Sequence, residues 1–275
     1  MIALVVGTGP GFGTGHTVRM RELARLLAER GLSTQFLGCS GENSALDPDS
    51  FSGSERWRLA VVDARDLNPE PFSRGCPVIA LDNRCPARFR PESQSAVIYH
   101  DTLPHPELPI ETACQNLLVR PSLTAGPSSR RSRCVVIYAG SLITRPEVTG
   151  MVRFLERQNF EPIVLDGVRR RPAREVDRLM LSARALITYP GMTLMEAWYC
   201  GALPIVVGTR KPLHRAHARD LAAAGVPMLE KPDCPTPLRD YLRQQSLSPL
   251  LARTRPGASG YARLIDLILG KARPG

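Results

Sequence analysis

Short runs of aliphatic and β-branched residues alternate with segments of helical periodicity along most of the chain, and this alternation restricts the possible folds more than any other feature. Residues 2–6 (Ile-Ala-Leu-Val-Val) read as a strand ended by Gly7. Residues 17–30 place Val18, Met20, Leu23, Ala24, Leu26 and Leu27 at helical spacing, and Gly31 closes the helix. Further strands are expected at 34–37, 58–63 and 78–82. A Pro-rich stretch, 83–127, follows with only brief apolar runs at 96–99 and 116–119, and 124–133 is small, polar and basic like a linker. Then the pattern restarts, with strands expected at 134–138, 162–165, 185–188 and 203–207 and helices near 146–158, 175–183, 193–200, 216–224 and 261–269. Strands joined through helices pair in parallel. The expectation is therefore an α/β protein of two Rossmann-like parallel-sheet domains facing a cleft, divided as 1–126 and 127–275, with ligand bound in the cleft.

Composition narrows the class. The 275 residues contain no run of about 18 apolar residues and open without the charged n-region and long apolar h-region of a signal peptide, which reads against a membrane-spanning or secreted chain. The seven cysteines form no C-x-x-C pair and no zinc-type cluster with histidine, so reduced thiols in the cytoplasm are expected, with Cys134 and Cys200 as core filler. A net charge of +10 asks for a polyanionic partner: nucleic acid, anionic headgroups or a phosphorylated ligand. The tight clusters Arg130-Arg131-Arg133 and Arg169-Arg170-Arg171 fall between expected elements without interleaved aromatics. They read as solvated loop charge, and nucleic acid is not expected.

The loop with Gly7, Gly9, Gly11, Gly13 and Gly15 invites two nucleotide-binding labels, and both fail. A P-loop ends in Gly-Lys-Ser/Thr, whereas Gly15 precedes His16-Thr17. A dinucleotide fingerprint needs a third Gly where Phe12 or His16 stands, and the second strand ends in Gly38-Cys39 without a ribose-binding acid. NAD and ATP are set aside, and neither cofactor nor metal is expected. What remains is a backbone able to approach a ligand closely, delivering His16 to a helix start whose dipole favours negative charge. A histidine there serves as a general base near neutral pH, or simply caps the helix. Arg19 lies one turn on and faces the same side. Asp63 and Asp82 end strands where open parallel sheets present side chains to ligands. In the second half, Ala139-Gly140-Ser141 and Tyr189-Pro190-Gly191-Met192-Thr193 each follow a strand and open a helix, so their amides can meet a phosphate. Glu196 follows Thr193 at capping-box spacing; it is either a cap or an acceptor for ligand hydroxyls such as a ribose diol.

The segment Gly13-Thr14-Gly15-His16-Thr17-Val18-Arg19, continuing into Leu23-Ala24 and Leu27, resembles the opening motif of the nucleotide-sugar hydrolases of pseudaminic-acid biosynthesis and their spore-coat polysaccharide relatives. That family shares the GT-B fold with glycosyltransferases of the type that makes peptidoglycan lipid II. Gly191-Met192-Thr193-Leu194-Met195-Glu196-Ala197 with Gly201-Ala202-Leu203-Pro204 is similar to its nucleotide-binding segment, and Val61-Val62-Asp63 with Leu81-Asp82-Asn83 resembles its N-terminal strand ends. The resemblance implies a UDP-sugar substrate. Gly140, Ser141, Gly191, Met192, Thr193 and Glu196 would hold the nucleotide, Gly13, Gly15, Arg19, Arg65 and Asp82 the sugar side, and His16 with Asp63 would carry the catalysis. In the hydrolases a His-activated water attacks the anomeric carbon and UDP leaves; in the transferases an acceptor sugar or lipid-linked acceptor replaces water, with a peripheral membrane contact in the lipid case. The resemblance thus implies first a UDP-sugar hydrolase of surface-polysaccharide or nonulosonic-acid type sugar biosynthesis; a GT-B glycosyltransferase using a UDP-sugar donor is the alternative, and a non-catalytic binder of nucleotide-sugar or nucleic acid the second alternative. The chain departs from the hydrolases at Arg65, where they carry Tyr, at Met195, where they carry Asn, at Ala139-Gly140-Ser141-Leu142, where they carry Gly-Gly-Thr-Asp, and at Leu213-His214, where they carry a polar pair. Arg65 reads either as a contact to an acidic sugar or phosphate or as an exposed loop residue.

Overall fold

The computed structural model describes residues 1–8, 14–40, 57–63, 76–81, 96–99, 118–120, 122–123, 133–140, 142–166, 171–210, 212–223, 225–231, 236–243 and 260–272. Its strands form two parallel sheets of five strands each. In the first, β1 (Ile2–Thr8), β2 (Thr34–Ser40), β3 (Leu59–Asp63), β4 (Val78–Leu81) and β5 (Ala96–Tyr99) lie in the order β2-β1-β3-β4-β5. In the second, β6 (Cys134–Gly140), β7 (Glu161–Asp166), β8 (Ala185–Thr188), β9 (Leu203–Val207) and β10 (Met228–Leu229) lie in the order β10-β9-β8-β6-β7. Counted from its own first strand, each sheet has the order 2-1-3-4-5. This doubly wound order reverses direction between its first and third strands, and ligands bind outside the carboxyl ends of the strands at that reversal. The two reversal points are β1/β3 and β6/β8.

Strands β1, β3 and β4 form the buried centre of the first sheet because they are nearly continuous apolar runs: Ala3, Leu4, Val5, Leu59, Ala60, Val61, Val78, Ile79, Ala80 and Leu81 are all fully buried, as parallel strands covered on both faces require. Helix α1 (Thr14–Ala28) packs Met20, Leu23 and Leu27 onto it. The helix begins three residues before the expected 17, so Gly15 and His16 lie inside its first turn. Periodicity could not reveal this, since 14–16 carry no apolar residue. Its end is as read: Gly31 adopts φ +72°, the Gly31 amide bonds the Ala28 carbonyl and the Leu32 amide the Leu27 carbonyl, the paired bonds that close a helix through a left-handed residue.

The second sheet is covered by α2 (Arg145–Arg157), α3 (Ala173–Ser182), α4 (Met192–Tyr199), α5 (Pro212–Ala223) and α6 (Thr236–Arg243). The Thr144 amide donates to Glu147 Oε2 at 2.7 Å, a reciprocal cap that starts α2 next to Pro146. Strand β10 and helix α6 were not expected from the sequence. Two residues are too few to show alternation, and α6 offers only Leu238 and Leu242 as a buried stripe. Cys76, Cys134 and Cys200 are buried and form no disulfide, consistent with core filler. No helix among the described residues is long and apolar enough to cross a membrane.

The domain division differs from the expected cut at 126/127. One compact unit comprises Met1–Asp101, Asn116–Leu118 and Ser259–Gly275, the other Thr102–Gln115 and Val119–Ala258. The terminal helix α7 (Tyr261–Lys271) belongs to the first unit because Tyr261, Leu264, Ile265 and Ile268, at i, i+3, i+4 and i+7, complete the same core as Leu4, Met20, Leu23 and Leu118. At about 1.5–3 kcal/mol per buried aliphatic side chain, the three aliphatic residues of that stripe alone contribute a large share of a small unit's stability. Periodicity identified the helix; it does not say which of two cores the stripe enters.

Candidate active site

Strand order brings the first site together. Because β1 pairs directly with β3, Val6 is in register with Asp63, and the carboxylate ends up beside the strand that leads into the glycine turn and α1. Asp63 is fully buried, His16 is 9% exposed and Arg19 3%. His16 Nδ1 lies 2.6 Å from Asp63 Oδ1. Arg19 grips the same carboxylate as a fork, Nε donating to Oδ2 at 2.8 Å and Nη2 to Oδ1 at 2.6 Å. From the far end of the sequence, the Tyr261 hydroxyl donates to the Arg19 carbonyl oxygen at 3.0 Å.

The geometry decides the histidine's tautomer. An ionised carboxylate has only lone pairs to offer, so a 2.6 Å approach by Nδ1 requires the proton on Nδ1. Arg19 Nη2 is also 3.2 Å from Nδ1, but guanidinium has no acceptor, so the two are neighbouring donors sharing Oδ1. A neutral His16 therefore carries its base lone pair on Nε2. Burial pushes the Asp63 carboxyl up, yet the charge of Arg19, and then that of His16, outweighs it and holds the carboxyl at about 2. It stays an acceptor throughout the range in which an imidazole exchanges a proton. A histidine oriented by a buried carboxylate through Nδ1 can act as a general base at Nε2, with the carboxylate stabilising the imidazolium that forms.

Of the sequence-derived site residues in this unit, the structure unites His16, Asp63 and Arg19 and places Gly15 beside His16 in the first turn of α1. Asp63 and Arg19 are turned to each other rather than presented to solvent. Gly13, Arg65 and Asp82 lie outside the described residues.

In the second unit, the β6/β8 reversal holds a different arrangement. Gly140 has φ +51°, and a Cβ there would sit 2.5 Å from the Tyr189 hydroxyl oxygen, so this glycine is required by the tyrosine packed over it. Tyr189 neighbours Tyr138 and His214, with ring centroids 6.1 and 5.8 Å away. Burial, reinforced by Tyr138, pushes its phenol up to about 12. The Thr188 hydroxyl donates to the Tyr138 carbonyl at 3.0 Å and ties the two strand ends. Gly191 is extended backbone with open space within 4 Å of where a Cβ would stand, and Met192 and Thr193 form the first turn of α4, the positive end of its dipole. Ser141 lies outside the described residues.

Glu196 corrects the sequence reading. Gly191, not Thr193, is the N-cap of α4, so no Thr-x-x-Glu cap forms. The carboxylate, 6% exposed, instead receives Arg120 Nε at 2.7 Å on Oε1 and Nη2 at 3.0 Å on Oε2. Arg120 Nη1 also lies 2.8 Å from Asp177 Oδ1, out of line for a hydrogen bond. Burial, with Asp177 adding to it, raises the Glu196 carboxyl above its ordinary value, and Arg120 offsets only part of the rise. Each oxygen thus accepts one guanidinium hydrogen bond, so the carboxylate is held in a largely buried ion pair and caps no helix. Arg120 and Asp177 were not identified from sequence: Arg120 sits 76 residues from Glu196 in a stretch without periodicity. Among the described residues, no three His, Cys, Asp or Glu side chains are grouped to hold a metal ion.

No protein-family model matches the sequence, and comparison with curated proteins finds no match. Solved structures do match over nearly the whole chain. MurG of Acinetobacter baumannii superimposes with a TM-score of 0.63 at 14% identity, covering 98% of this chain and 99% of that one. The UDP-GlcNAc 2-epimerase of Neisseria meningitidis, bound to UDP-GlcNAc, gives 0.51 at 10% identity over 98% and 99%. With two parallel sheets of the same doubly wound order and full-length likeness to these structures, the chain has the GT-B fold.

Proposed function

We propose that the protein is an enzyme acting on a UDP-sugar, with His16 as general base, and that it transfers the glycosyl group to an acceptor hydroxyl. The observation that carries this reading is the buried His16–Asp63 pair at the β1/β3 reversal, where the fold presents ligands. Nε2 of His16 takes the proton of the attacking hydroxyl as the bond to the anomeric carbon forms and the bond to the diphosphate oxygen breaks. Asp63 keeps the proton on Nδ1 and balances the imidazolium, so it orients the base without touching substrate. The departing diphosphate gains negative charge. In the second unit the first turn of α4, at Gly191, Met192 and Thr193, carries the positive end of a helix dipole, which suits a negative charge.

The full-length likeness to MurG, a GT-B glycosyltransferase, supports transfer, and the UDP-GlcNAc bound in the Neisseria epimerase supports a uridine diphosphate sugar as donor. Hydrolysis is the second reading, favoured by the segment Gly13 to Arg19 and its resemblance to nucleotide-sugar hydrolases. One assay separates them: UDP release from UDP-GlcNAc and other UDP-sugars, with and without saccharide or lipid-diphosphate-linked acceptors. Release that requires an acceptor and is lost in His16→Ala supports transfer. Release at full rate without acceptor replaces it by hydrolysis, and turnover that survives His16→Ala overturns the proposed base.

A further inference from the structure

We propose that Arg19 is a positioning residue that acts through Asp63 to hold His16 in its Nδ1–H tautomer, and that it does not bind substrate. This inference rests on the reading of His16 as the base. Its grounds are geometric. The guanidinium is 3% exposed and gives two of its donors to a carboxylate that is itself fully buried. The charged groups that face Asp63 among the described residues are Arg19 and His16, both carried by α1, while α7 contributes the Tyr261 hydroxyl to the Arg19 carbonyl.

A carboxyl buried without a cation takes up a proton, because a neutral acid costs far less in the interior than an unpaired carboxylate. A protonated Asp63 would reverse the hydrogen bond, its hydroxyl donating to Nδ1. The imidazole would then carry its proton on Nε2, where no lone pair remains for an attacking hydroxyl. Arg19 thus determines which nitrogen is the base. The Nε/Nη2 fork suits this task better than an ammonium, since it fixes both oxygens and leaves Oδ1 turned to the histidine. Tyr261 anchors the backbone of the same residue, so the terminal helix of the chain steadies the first turn of α1.

The test pairs kinetics with a direct view of the ring. In the wild-type protein, side-chain ¹⁵N NMR at neutral pH is expected to show His16 with a protonated Nδ1 and an unprotonated Nε2. Arg19→Gln is expected to move that proton to Nε2 and to lower kcat by about 10²-fold, comparable to the loss from misplacing a catalytic group, with little change in KM for the UDP-sugar. Arg19→Lys, which keeps the charge but not the fork, is expected to retain the Nδ1–H form and to recover part of kcat; it decides the matter where Arg19→Gln fails to fold. Tyr261→Phe is expected to shift kcat by only a few-fold with the tautomer unchanged. A raised KM at unchanged kcat, with Nδ1 still protonated in Arg19→Gln or with Arg19→Lys behaving the same way, would place Arg19 on the substrate and overturn the proposal. Because the tautomer is read without turnover, an inactive or His16-independent enzyme condemns the functional reading separately from this one.

Discussion

Replacing Asp63 by Asn removes the negative charge that Arg19 and His16 share while keeping the side chain's size. Two magnitudes follow from the structure. First, the folded carboxyl is held at about 2 against an ordinary value of 3.8, which corresponds to about 2 kcal/mol in favour of the folded, ionised form. The folded state binds this proton more weakly than the unfolded chain, so the contribution is complete above about pH 4 and is lost as pH falls toward 2. Second, the Asn variant leaves the Arg19 guanidinium buried beside a neutral amide, and breaking a buried pair from one side costs about 3–5 kcal/mol. That is a large part of the stability of an ordinary domain. The assay uses the two tryptophans, one in each unit: Trp57 reports the first and Trp198 the second, both buried. In a Trp198→Phe background, urea unfolding followed by Trp57 fluorescence should show Asp63→Asn destabilised by about 3–5 kcal/mol at pH 7, with the gap to the parent narrowing below pH 4. A loss under about 1 kcal/mol, or a gap that does not change with pH, would refute the claim that this carboxylate is ionised and buried against Arg19.

Three further outcomes are expected. His16→Ala should reduce UDP-sugar turnover by about 10²–10⁴-fold, as removal of a general base does, and should cost about 1–3 kcal/mol in the Trp57 unfolding transition, because it takes one donor from the buried Asp63. Gly140→Ala should destabilise the second unit by about 1–3 kcal/mol in a Trp57→Phe background, because the new methyl meets the Tyr189 ring and the backbone is left-handed there; Tyr189→Phe, which removes the nearest atom, should relieve part of that loss. Arg120→Ala strands Glu196 and Asp177 together in the interior and should cost about 3–5 kcal/mol, read by Trp198 fluorescence, whereas Arg120→Met combined with Glu196→Leu should recover most of it.

Much of the architecture was legible in the sequence because strands and helices leave local signatures. Alternation along residues 2–81 and 134–207 announced two parallel sheets, Gly31 announced the end of α1, and Asp63 at a strand terminus and His16 at a helix start marked the carboxyl end of the first sheet, where the structure pairs them. Local patterns failed where two partners were equally compatible with them. The Thr193-x-x-Glu196 spacing fits a helix cap, yet the chain starts α4 at Gly191 and sends Glu196 inward to Arg120. The stripe on α7 fits either core, and it fills the first.

By itself, then, the sequence determined which faces are apolar, where the chain turns, and that an imidazole stands at the start of the first helix. Only the tertiary structure decided what that imidazole meets. His16 reaches Asp63 across 47 residues because β3 docks beside β1, and Tyr261 reaches Arg19 across 242 because the terminal helix returns to the first core. Periodicity records that a side chain leaves water; the packing of distant segments chooses its neighbour, and a buried charge is tolerated only where that neighbour is its opposite.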